Sequence, residues 1–500
     1  MIRRLLVANR GEIAVRVIRA CRELGIESVA VYSDLDAEAP HAVLADHAER
    51  LGPASAAESY LSIPRVVDAA RRSGADAVHP GYGFLAENAE FAAACADAGL
   101  TFVGPPSAVI ARMGSKVAAR QLMAEAGVIT VPGREPDNQG NDGLRAAAES
   151  VGYPVLVKAA AGGGGKGMRV VRQRGDLDEA LDAARREAGA AFGDGTLYIE
   201  RLIERPRHVE VQVLADRHGT VLHLFERECS VQRRHQKIIE ESPSCALSPA
   251  LRARMGAAGV AAARAAGYVN AGTVEFLLDG TGDTANFYFL EMNTRLQVEH
   301  PVTEAVTGVD LVRAQIAVAD GEPLAWRQED LAQRGHAIEC RVYAEDPANG
   351  FLPQAGRLLL YREPSGPGVR VDSGVVEGAD VPVQYDPLIA KVIVSGETRP
   401  AAIDRAISAL RRFPVLGLTT NIPFLLKVLE HPRFRSGDVD TGFVDAELEG
   451  LLGSHSPELV QRAMAVAVAV AGPTGVAAPA DVRAAGRRYD PWSSLGGGGR

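Results

Sequence analysis

Two rhythms of apolar and polar positions alternate along the chain, one suited to buried strands and the other to amphipathic helices. Residues 4–9 contain the unbroken apolar run Leu5-Leu6-Val7-Ala8, which predicts a buried strand. Residues 11–24 carry apolar side chains at helical spacing up to Gly25, and residues 28–32 form the next strand. Strand–helix–strand at this spacing predicts a parallel α/β sheet. Residues 75–83 add a strand and turn, a helix follows over about 88–98, and residues 101–104 close the sheet. Residues 115–126 read as a capped helix ended by Val131-Pro132-Gly133, and residues 135–143 are polar and punctuated like a hinge.

Strand 154–158 then runs into the small-residue stretch 159–167 before strand 168–171, a strand–glycine loop–strand flap with Lys158 beneath it. Residues 197–203 read as a strand leaving the flap. Residues 208–213 alternate strictly, with valines toward a core and His208, Glu210 and Gln212 toward something polar, such as sugar hydroxyls in a nucleotide-sized cleft. Strands 273–277 and 286–290 flank the turn-rich connector 279–283, so a hairpin centred near Asp283 sets Glu275 opposite Glu291. Short strands with Gly and Pro turns recur over 357–395, followed by helices over 401–412 and 421–429. Residues 456–471 form an Ala/Val helix or packing segment, and 472–485 a Pro/Ala/Gly linker.

The hairpin carries the first candidate chemistry. Side chains on a strand alternate faces, so Glu291, Asn293 and Arg295 project the same way. Two carboxylates and an amide oxygen on one face suit a hard divalent cation that also holds substrate phosphates. A solvated polar face is the alternative, and the hydrophobic residues on both strands argue for burial instead. The glycine run satisfies Gly-x-Gly-x-x-Gly, as a near-homopolymer satisfies most glycine patterns. No Ser or Thr follows Lys166 and a strand follows the loop, so a Walker A loop is excluded. Protein kinases cover phosphates with a comparable flap, backbone amides above and a strand lysine below. The first strand's turn has one glycine where a dinucleotide fingerprint needs three, which argues against an NAD site.

Composition sharpens this. Five hundred residues exceed a single core, so two or three domains are expected. A net charge of −9 argues against nucleic-acid and anionic-membrane partners, so any anion site must be a local concentration of positive charge. Of 54 Lys and Arg, six are lysines and 48 arginines, and four of the six lysines (116, 158, 166, 237) lie between residues 116 and 237. Lysine kept where arginine is otherwise preferred marks places needing a compact point charge, here an anion site. Arg227, Gln232, Arg233, Arg234, His235 and Lys237 add a basic cluster suited to bicarbonate or phosphate, the alternative being a solvated arm. Five widely spaced cysteines without a Cys-x-x-Cys pair fit reduced thiols in a cytoplasmic protein. No signal peptide and no membrane span is expected. His79 and Tyr82 read as turn packing.

The motifs Asn9-Arg10-Gly11-Glu12-Ile13-Ala14, His79-Pro80-Gly81-Tyr82-Gly83-Phe84-Leu85-Ala86-Glu87-Asn88, residues 162–168, 227–237 and 291–301, His336-Ala337-Ile338-Glu339-Cys340-Arg341 and Tyr385-Asp386-Pro387-Leu388-Ile389-Ala390-Lys391 resemble biotin carboxylase. This is the ATP-grasp component of acetyl-, propionyl- and related acyl-CoA carboxylases. The resemblance runs from residue 2 to about 447. It implies an N-terminal parallel α/β (pre-ATP-grasp) domain over 1–113 and an ATP-grasp domain over 114–330 with its flap at about 131–203. A mixed α+β C-terminal domain over 331–447 that packs on the metal site and supplies a dimer contact, and a tail over 448–500, complete the expected order.

The implied activity is ATP-dependent carboxylation of biotin by bicarbonate. Lys116, Lys158, Gly163, Gly164, Gly165, Lys166, Glu200, Arg201, Leu202, Ile203, His208, Gln232 and His235 match the family's ATP contacts. Glu275, Glu291 and Asn293 match its magnesium or manganese ligands, with two metal sites expected. Lys237, Arg295, Gln297 and Val298 match the bicarbonate site, Glu299 the general base and Arg341 the residue that steadies ionised biotin. Cys229, inside a motif but without an adjacent activating partner in sequence, reads as a bystander.

The expected partners are a biotin carboxyl carrier protein or domain, a carboxyltransferase subunit and a second copy of the chain. No Ala-Met-Lys-Met or Glu-Met-Lys-Met carrier motif is present, so biotin is expected in trans or on a longer subunit of which this is a part. The rival readings are another ATP-grasp enzyme making carboxyphosphate or acyl-phosphates, and a silent ATP-binding scaffold. Arg295, Glu299 and Arg341 in their motifs favour biotin over the first, and the intact polar set weighs against the second.

Overall fold

In the computed structural model, which describes residues 1–134, 136, 138–160 and 167–452, the first apolar run forms β1 (Arg4–Val7). It is flanked by β2 (Glu27–Ser33), β3 (His47–Gly52), β4 (Ala77–His79) and β5 (Thr101–Phe102) in the order β3–β2–β1–β4–β5, all parallel. The helix Gly11–Leu24 crosses from β1 to β2 and ends at Gly25, whose φ of 69° puts it in the left-handed region that closes a helix without Cβ strain. The edge strand β3, absent from the sequence reading, is largely exposed and polar, so it lacks the apolar run that revealed β1.

The flap region is a second sheet. Its strands are β6 (Gly133–Arg134), β7 (Val155–Ala159), β8 (Arg169–Val171) and β9 (Leu197–Arg201), ordered β6–β9–β7–β8 and antiparallel. The last of these, read from sequence as leaving the flap, pairs with β7 over its whole length. Leu144, Ala147, Leu177, Leu181, Val155 and Val157 bury a small core between this sheet and its helices. Glu135 and Asp137 of the expected hinge, the glycine run with Gly163, Gly164, Gly165 and Lys166, and the tail segments 456–471 and 472–485 lie outside the described residues.

The largest sheet has eight antiparallel strands. In chain order they are β10 (Arg207–Ala215), β11 (Val221–Arg233), β12 (Gln236–Ser242), β13 (Asn270–Asp279), β14 (Asn286–Asn293), β15 (His336–Tyr343), β16 (Val369–Ser373) and β17 (Leu388–Gly396). In space they run β14–β13–β10–β11–β12–β15–β17–β16, so the strands from beyond residue 331 extend the sheet begun by the earlier ones. Val209, Val211 and Val213 face a core with Phe276, Leu278 and Leu251. Ile338, Cys340 and Val342 do the same beneath the helices Arg399–Arg411 and Ile422–Glu430. The alternate positions of β10 and β15 (His208, Glu210 and Gln212; Glu339 and Arg341) are buried as well, so this sheet carries a polar face that is interior rather than solvated. Among the described residues no helix is long and apolar enough to cross a membrane.

Candidate active site

The β13–β14 hairpin pairs Glu275 directly with Glu291. An extra residue, Leu290, follows the Phe276–Phe289 pair and bends β14 at this point. The strand ends at Asn293, so Arg295 lies past it in a bend rather than on the strand as expected. It still returns to the same site, because Nη2 donates to Asn293 Oδ1 at 3.3 Å and Nη1 to Gln297 Oε1 at 2.9 Å. Its third anchor is Glu87 from the N-terminal domain, whose Oε2 accepts from Arg295 Nε at 2.8 Å. Burial alone would ease the proton off this guanidinium, but Glu87, with Glu299 and Glu275, outweighs it and keeps Arg295 charged.

Lys237, on β12, meets three carboxylates: Glu210 Oε2 at 2.5 Å, Glu299 Oε1 at 2.6 Å and Glu275 Oε1 at 2.9 Å. Burial opposes its charge, yet these three anions hold its pKa well above the ordinary lysine value. Glu299 sits fully buried just before the helix His300–Thr307 and accepts from Arg341 Nη2 at 2.9 Å. Burial pushes its carboxyl up, but Lys237, Arg341 and Arg227 together hold it well below the usual range.

Glu275 is similarly compensated. Lys237 and His208 outweigh burial and lower its pKa, and Asn293 Nδ2 and Gln297 Nε2 donate to it at 2.8 and 3.0 Å. The protein's own cations therefore already reach Glu275, one of the two carboxylates expected to hold a metal. Glu291 differs: burial and repulsion from Glu275 raise its proton affinity, against a counter-charge from Lys116. Two opposed carboxylates, one only partly compensated, with the Asn293 amide beside them, fit a divalent cation with oxygen ligands.

A cavity of about 320 Å³ opens over this hairpin and is walled by Lys116, Lys158, Glu200, His208, Gln232, His235, Lys237, Glu275, Glu291, Asn293, Arg295, Gln297, Val298 and Arg341. Lys158 donates to Glu200 Oε2 at 2.9 Å, and Arg120 also contacts Glu200. Burial and the nearby Lys158 lower the pKa of Lys116, so an incoming phosphate would relieve strain between two cations. Glu299 lies behind Lys237 rather than on the wall. Arg201, Leu202 and Ile203 are not brought to this cavity but line a separate cleft of about 550 Å³, where Arg201 donates to Asp279 and Tyr288 at 3.0 Å.

A second cavity, about 490 Å³, meets the first at Arg295, Val298 and Arg341 and reaches Glu12, Tyr82 and Tyr385. Tyr82, read from sequence as turn packing, lines this cavity and its hydroxyl contacts Glu12. His79 does pack its turn, accepting from the Gly81 amide at 3.0 Å.

Two further readings change. Glu210 and Gln212 do not face a sugar site: both are fully buried and take up Arg227, which donates to them at 2.6 and 2.7 Å. The basic cluster is correspondingly divided, since Arg227 is spent there, Arg233 contacts Glu345, and Gln232, His235 and Lys237 reach the cavity. Cys229 is buried with its Sγ 4.0 Å from Glu299 Oε1, and burial with the surrounding carboxylates raises its pKa, so it is a neutral thiol. Arg120, Tyr198, Gln236, Glu87 and Glu210 were not anticipated. Of these, Glu210 stands in the alternating stretch 208–213, Gln236 in the motif 227–237 and Glu87 in the motif 79–88, while Arg120 and Tyr198 lie in none of the motifs.

Residues 1–110 match the family described as biotin carboxylase, N-terminal domain, and residues 339–446 its C-terminal domain. Residues 115–327 match the ATP binding domain of the carbamoyl-phosphate synthase L chain. The chain is 52% identical over 445 residues to biotin carboxylase 1 of Bacillus subtilis, covering 89% of this chain and 98% of that protein. It is 52% identical over 450 residues to the mitochondrial methylcrotonoyl-CoA carboxylase subunit alpha of Glycine max, covering 90% of this chain but 61% of that subunit's length. The biotin carboxylase domain dimer of Hydrogenobacter thermophilus 2-oxoglutarate carboxylase, solved with MgADP, ADP and bicarbonate, superposes with a TM-score of 0.87 at 46% identity, covering 91% of this chain and all of that one. Similarity that spans 98% of a biotin carboxylase, with family domains matched near both ends of the aligned region, shows that the chain belongs to the biotin carboxylase family.

Proposed function

We propose that this chain uses ATP and bicarbonate to carboxylate biotin on a carrier, the first half-reaction of a biotin-dependent carboxylase. The observation that carries the reading is the junction of the two cavities at Arg295, Val298 and Arg341, with the Lys237–Glu299–Arg341 chain immediately behind it. A nucleotide and bicarbonate on one side and the biotin ring on the other would meet there. The solved relative with MgADP and bicarbonate supports the first half of that assignment.

Lys116, Lys158, Arg295, Gln297 and Val298 line the first cavity, and in this reading the two lysines hold phosphate oxygens and the other three hold bicarbonate. Mg²⁺ or Mn²⁺, held by Glu275, Glu291 and Asn293, would supply neutralisation of phosphate charge when bound. Glu299 is a weak base while Lys237 grips it. Drawing Lys237 toward the transferring phosphoryl group raises the proton affinity of Glu299, which then takes the bicarbonate proton as the bicarbonate oxygen attacks the γ-phosphorus and ADP leaves. The carboxyphosphate formed is labile in water, which gives the flap its purpose: closure before reaction. It breaks into carbon dioxide and phosphate, phosphate takes the ureido N–H proton of biotin, and that nitrogen attacks carbon dioxide. Arg341 steadies the negative ureido oxygen in between.

The functional partition is 1–113, 114–330 and 331–447, with homodimer assembly and a carrier and carboxyltransferase as partners. The acceptor, acetyl-CoA, propionyl-CoA or another acid, is set by the carboxyltransferase. Five free cysteines suit a reducing compartment, and we place the chain in the cytoplasm. The test combines purified chain, a biotinylated carrier and labelled bicarbonate. ATP-dependent, acid-labile label on the carrier is expected; ATP turnover without label would favour an acyl-phosphate ligase, and neither would favour a silent scaffold.

A further inference from the structure

Behind Arg341 lies a pair of carboxyl groups that no step above uses. Glu240 on β12 and Glu339 on β15 are directly opposed in the antiparallel register. Opposed residues of such a pair put their side chains on one face at a separation where two carboxyl groups can touch. Both are completely buried, and none of their four oxygens accepts an aligned hydrogen bond from a described residue. Glu240 Oε1 lies 2.6 Å from Arg341 Nε, and the other edge of that guanidinium donates to Glu299 Oε2 at 2.9 Å. Arg341 is thus held between two glutamates, one of which is backed by a third.

The surrounding charges do not neutralise this pair. Glu240 faces Arg341, Glu299, Lys237 and Glu210, with the Cys229 thiol on β11 nearby. Glu339 faces Lys391, Glu240, Arg341 and Glu299. Lys237 is committed to Glu210, Glu275 and Glu299, Lys391 to Glu12, and Arg341 is shared with Glu299. Two adjacent buried carboxylates with one shared cation cannot both ionise cheaply, and a proton is the smallest remedy.

We propose that Glu240 and Glu339 share one proton and act together as positioning residues for Arg341, fixing its guanidinium and limiting the negative charge against it. The role, though not the shared proton, rests on the assignment of Arg341 to the ionised ureido group above. Burial pushes the Glu240 carboxyl up to about 7 against the pull of Arg341, and it raises Glu339 well above the ordinary range, in the direction sharing requires. With one proton, the O–H of one carboxyl donates to the other and the pair carries a single negative charge. Losing that proton to solvent at alkaline pH puts a second negative charge behind Arg341 and weakens its hold on the ureido oxygen.

Difference infrared spectra of the full chain at neutral pH test the proton directly. A protonated-carboxyl carbonyl stretch is expected in the wild-type-minus-variant difference for both Glu240→Gln and Glu339→Gln, because relief of repulsion lets the remaining carboxylate ionise, while other protonated carboxyls such as Glu12 cancel. Absence of that band from either difference spectrum overturns sharing. Biotin-stimulated, bicarbonate-dependent ATP cleavage tests the role. Glu240→Ala should raise the biotin KM by about tenfold or more, and Glu240→Gln should recover most of that loss while flattening the alkaline fall in activity. An unchanged alkaline limb in Glu240→Gln, or equal loss in Gln and Ala, overturns the positioning role. A wild type that shows the band but no biotin-stimulated cleavage overturns the assignment of Arg341 and the role with it, leaving the shared proton standing.

Discussion

Lys237 and Lys391 are both buried lysines among carboxylates on the same eight-stranded sheet, yet they are embedded in opposite ways. Lys237 borders the cavity, and each carboxylate it touches has a second cation: Arg227 for Glu210, His208 for Glu275 and Arg341 for Glu299. Lys391, on β17, is fully enclosed and donates to the Val298 carbonyl at 2.8 Å. It lies 3.2 Å from Glu12 Oε1 and 3.9 Å from Asp372 Oδ2. Glu12 has no other ion pair among the described residues. The same ionic chemistry therefore serves two ends. Around Lys237 the charges are redundant, so the lysine can leave its partners for a substrate without stranding a buried anion. Around Lys391, Asp372 keeps Arg370 but Glu12 has no second cation paired with it among the described residues, and the contact ties the first helix, the loop before Glu299 and β17 together.

The largest effect that can break this contrast is on stability. Lys391→Met should cost about 3–5 kcal/mol in chemical denaturation, the usual result of leaving a buried charge without its partner. Lys237→Met should cost far less, because its three carboxylates keep their other cations. Equal losses in the two variants would show that redundancy is irrelevant and that burial alone decides.

Next in size is the effect on turnover. Lys237→Ala should lower bicarbonate-dependent ATP cleavage by about a hundredfold or more, the range for removing a cation that faces charge developing in a transition state. Its thermal stability should stay near that of the wild type. Unchanged ATP cleavage and biotin carboxylation in this variant would refute the assignment of Lys237.

A smaller effect sharpens the contrast within the hairpin. Glu291→Gln removes the less compensated carboxylate, so it should raise the Mg²⁺ concentration needed for half-maximal activity by about tenfold, while apparent stability without the metal rises slightly as repulsion from Glu275 is lost. An unaltered Mg²⁺ requirement would remove Glu291 from the ligand set.

The same division explains what the sequence disclosed. The Glu275–Glu291 pairing was legible because both strands and their connector are local, and a period of two fixes which side chains meet once the turn is placed. The concentration of lysines in an arginine-rich chain pointed to Lys116, Lys158 and Lys237 before any contact was known. What stayed hidden depends on distant pairing. Ile239 meets Cys340 across about a hundred intervening residues, and no local pattern announces that β15, β17 and β16 continue the sheet of the hairpin. Glu87 was quoted within a motif but not as the partner of Arg295, and the buried partners of Arg227 lie on three other elements. A basic residue in a string looks like an anion site until its neighbours across the sheet are known.

The finest test lies in pH, because the enclosed region has too little positive charge. Burial pushes the Glu12 carboxyl up to about 7, with Lys391 only partly opposing it and Asp372 adding to it. The folded chain therefore binds this proton more tightly than the unfolded chain, whose carboxyl has an ordinary value near 4.5. Its contribution to stability is fully present below that ordinary value and declines as pH rises toward and through 7, since folding must then either bury the charge or take up a proton. The melting temperature should accordingly fall by roughly a few degrees between pH 6 and pH 8, and Glu12→Gln should reduce that fall by removing one titrating group. Glu240 titrates in the same direction, so some slope should survive in Glu12→Gln. Cavity-side Glu275, held low by Lys237 and His208 against burial, is already ionised throughout this interval and adds nothing to the slope. A Glu12→Gln variant with the full wild-type slope would mean that Lys391 neutralises Glu12 completely, making the enclosed cluster as well compensated as the one at the cavity.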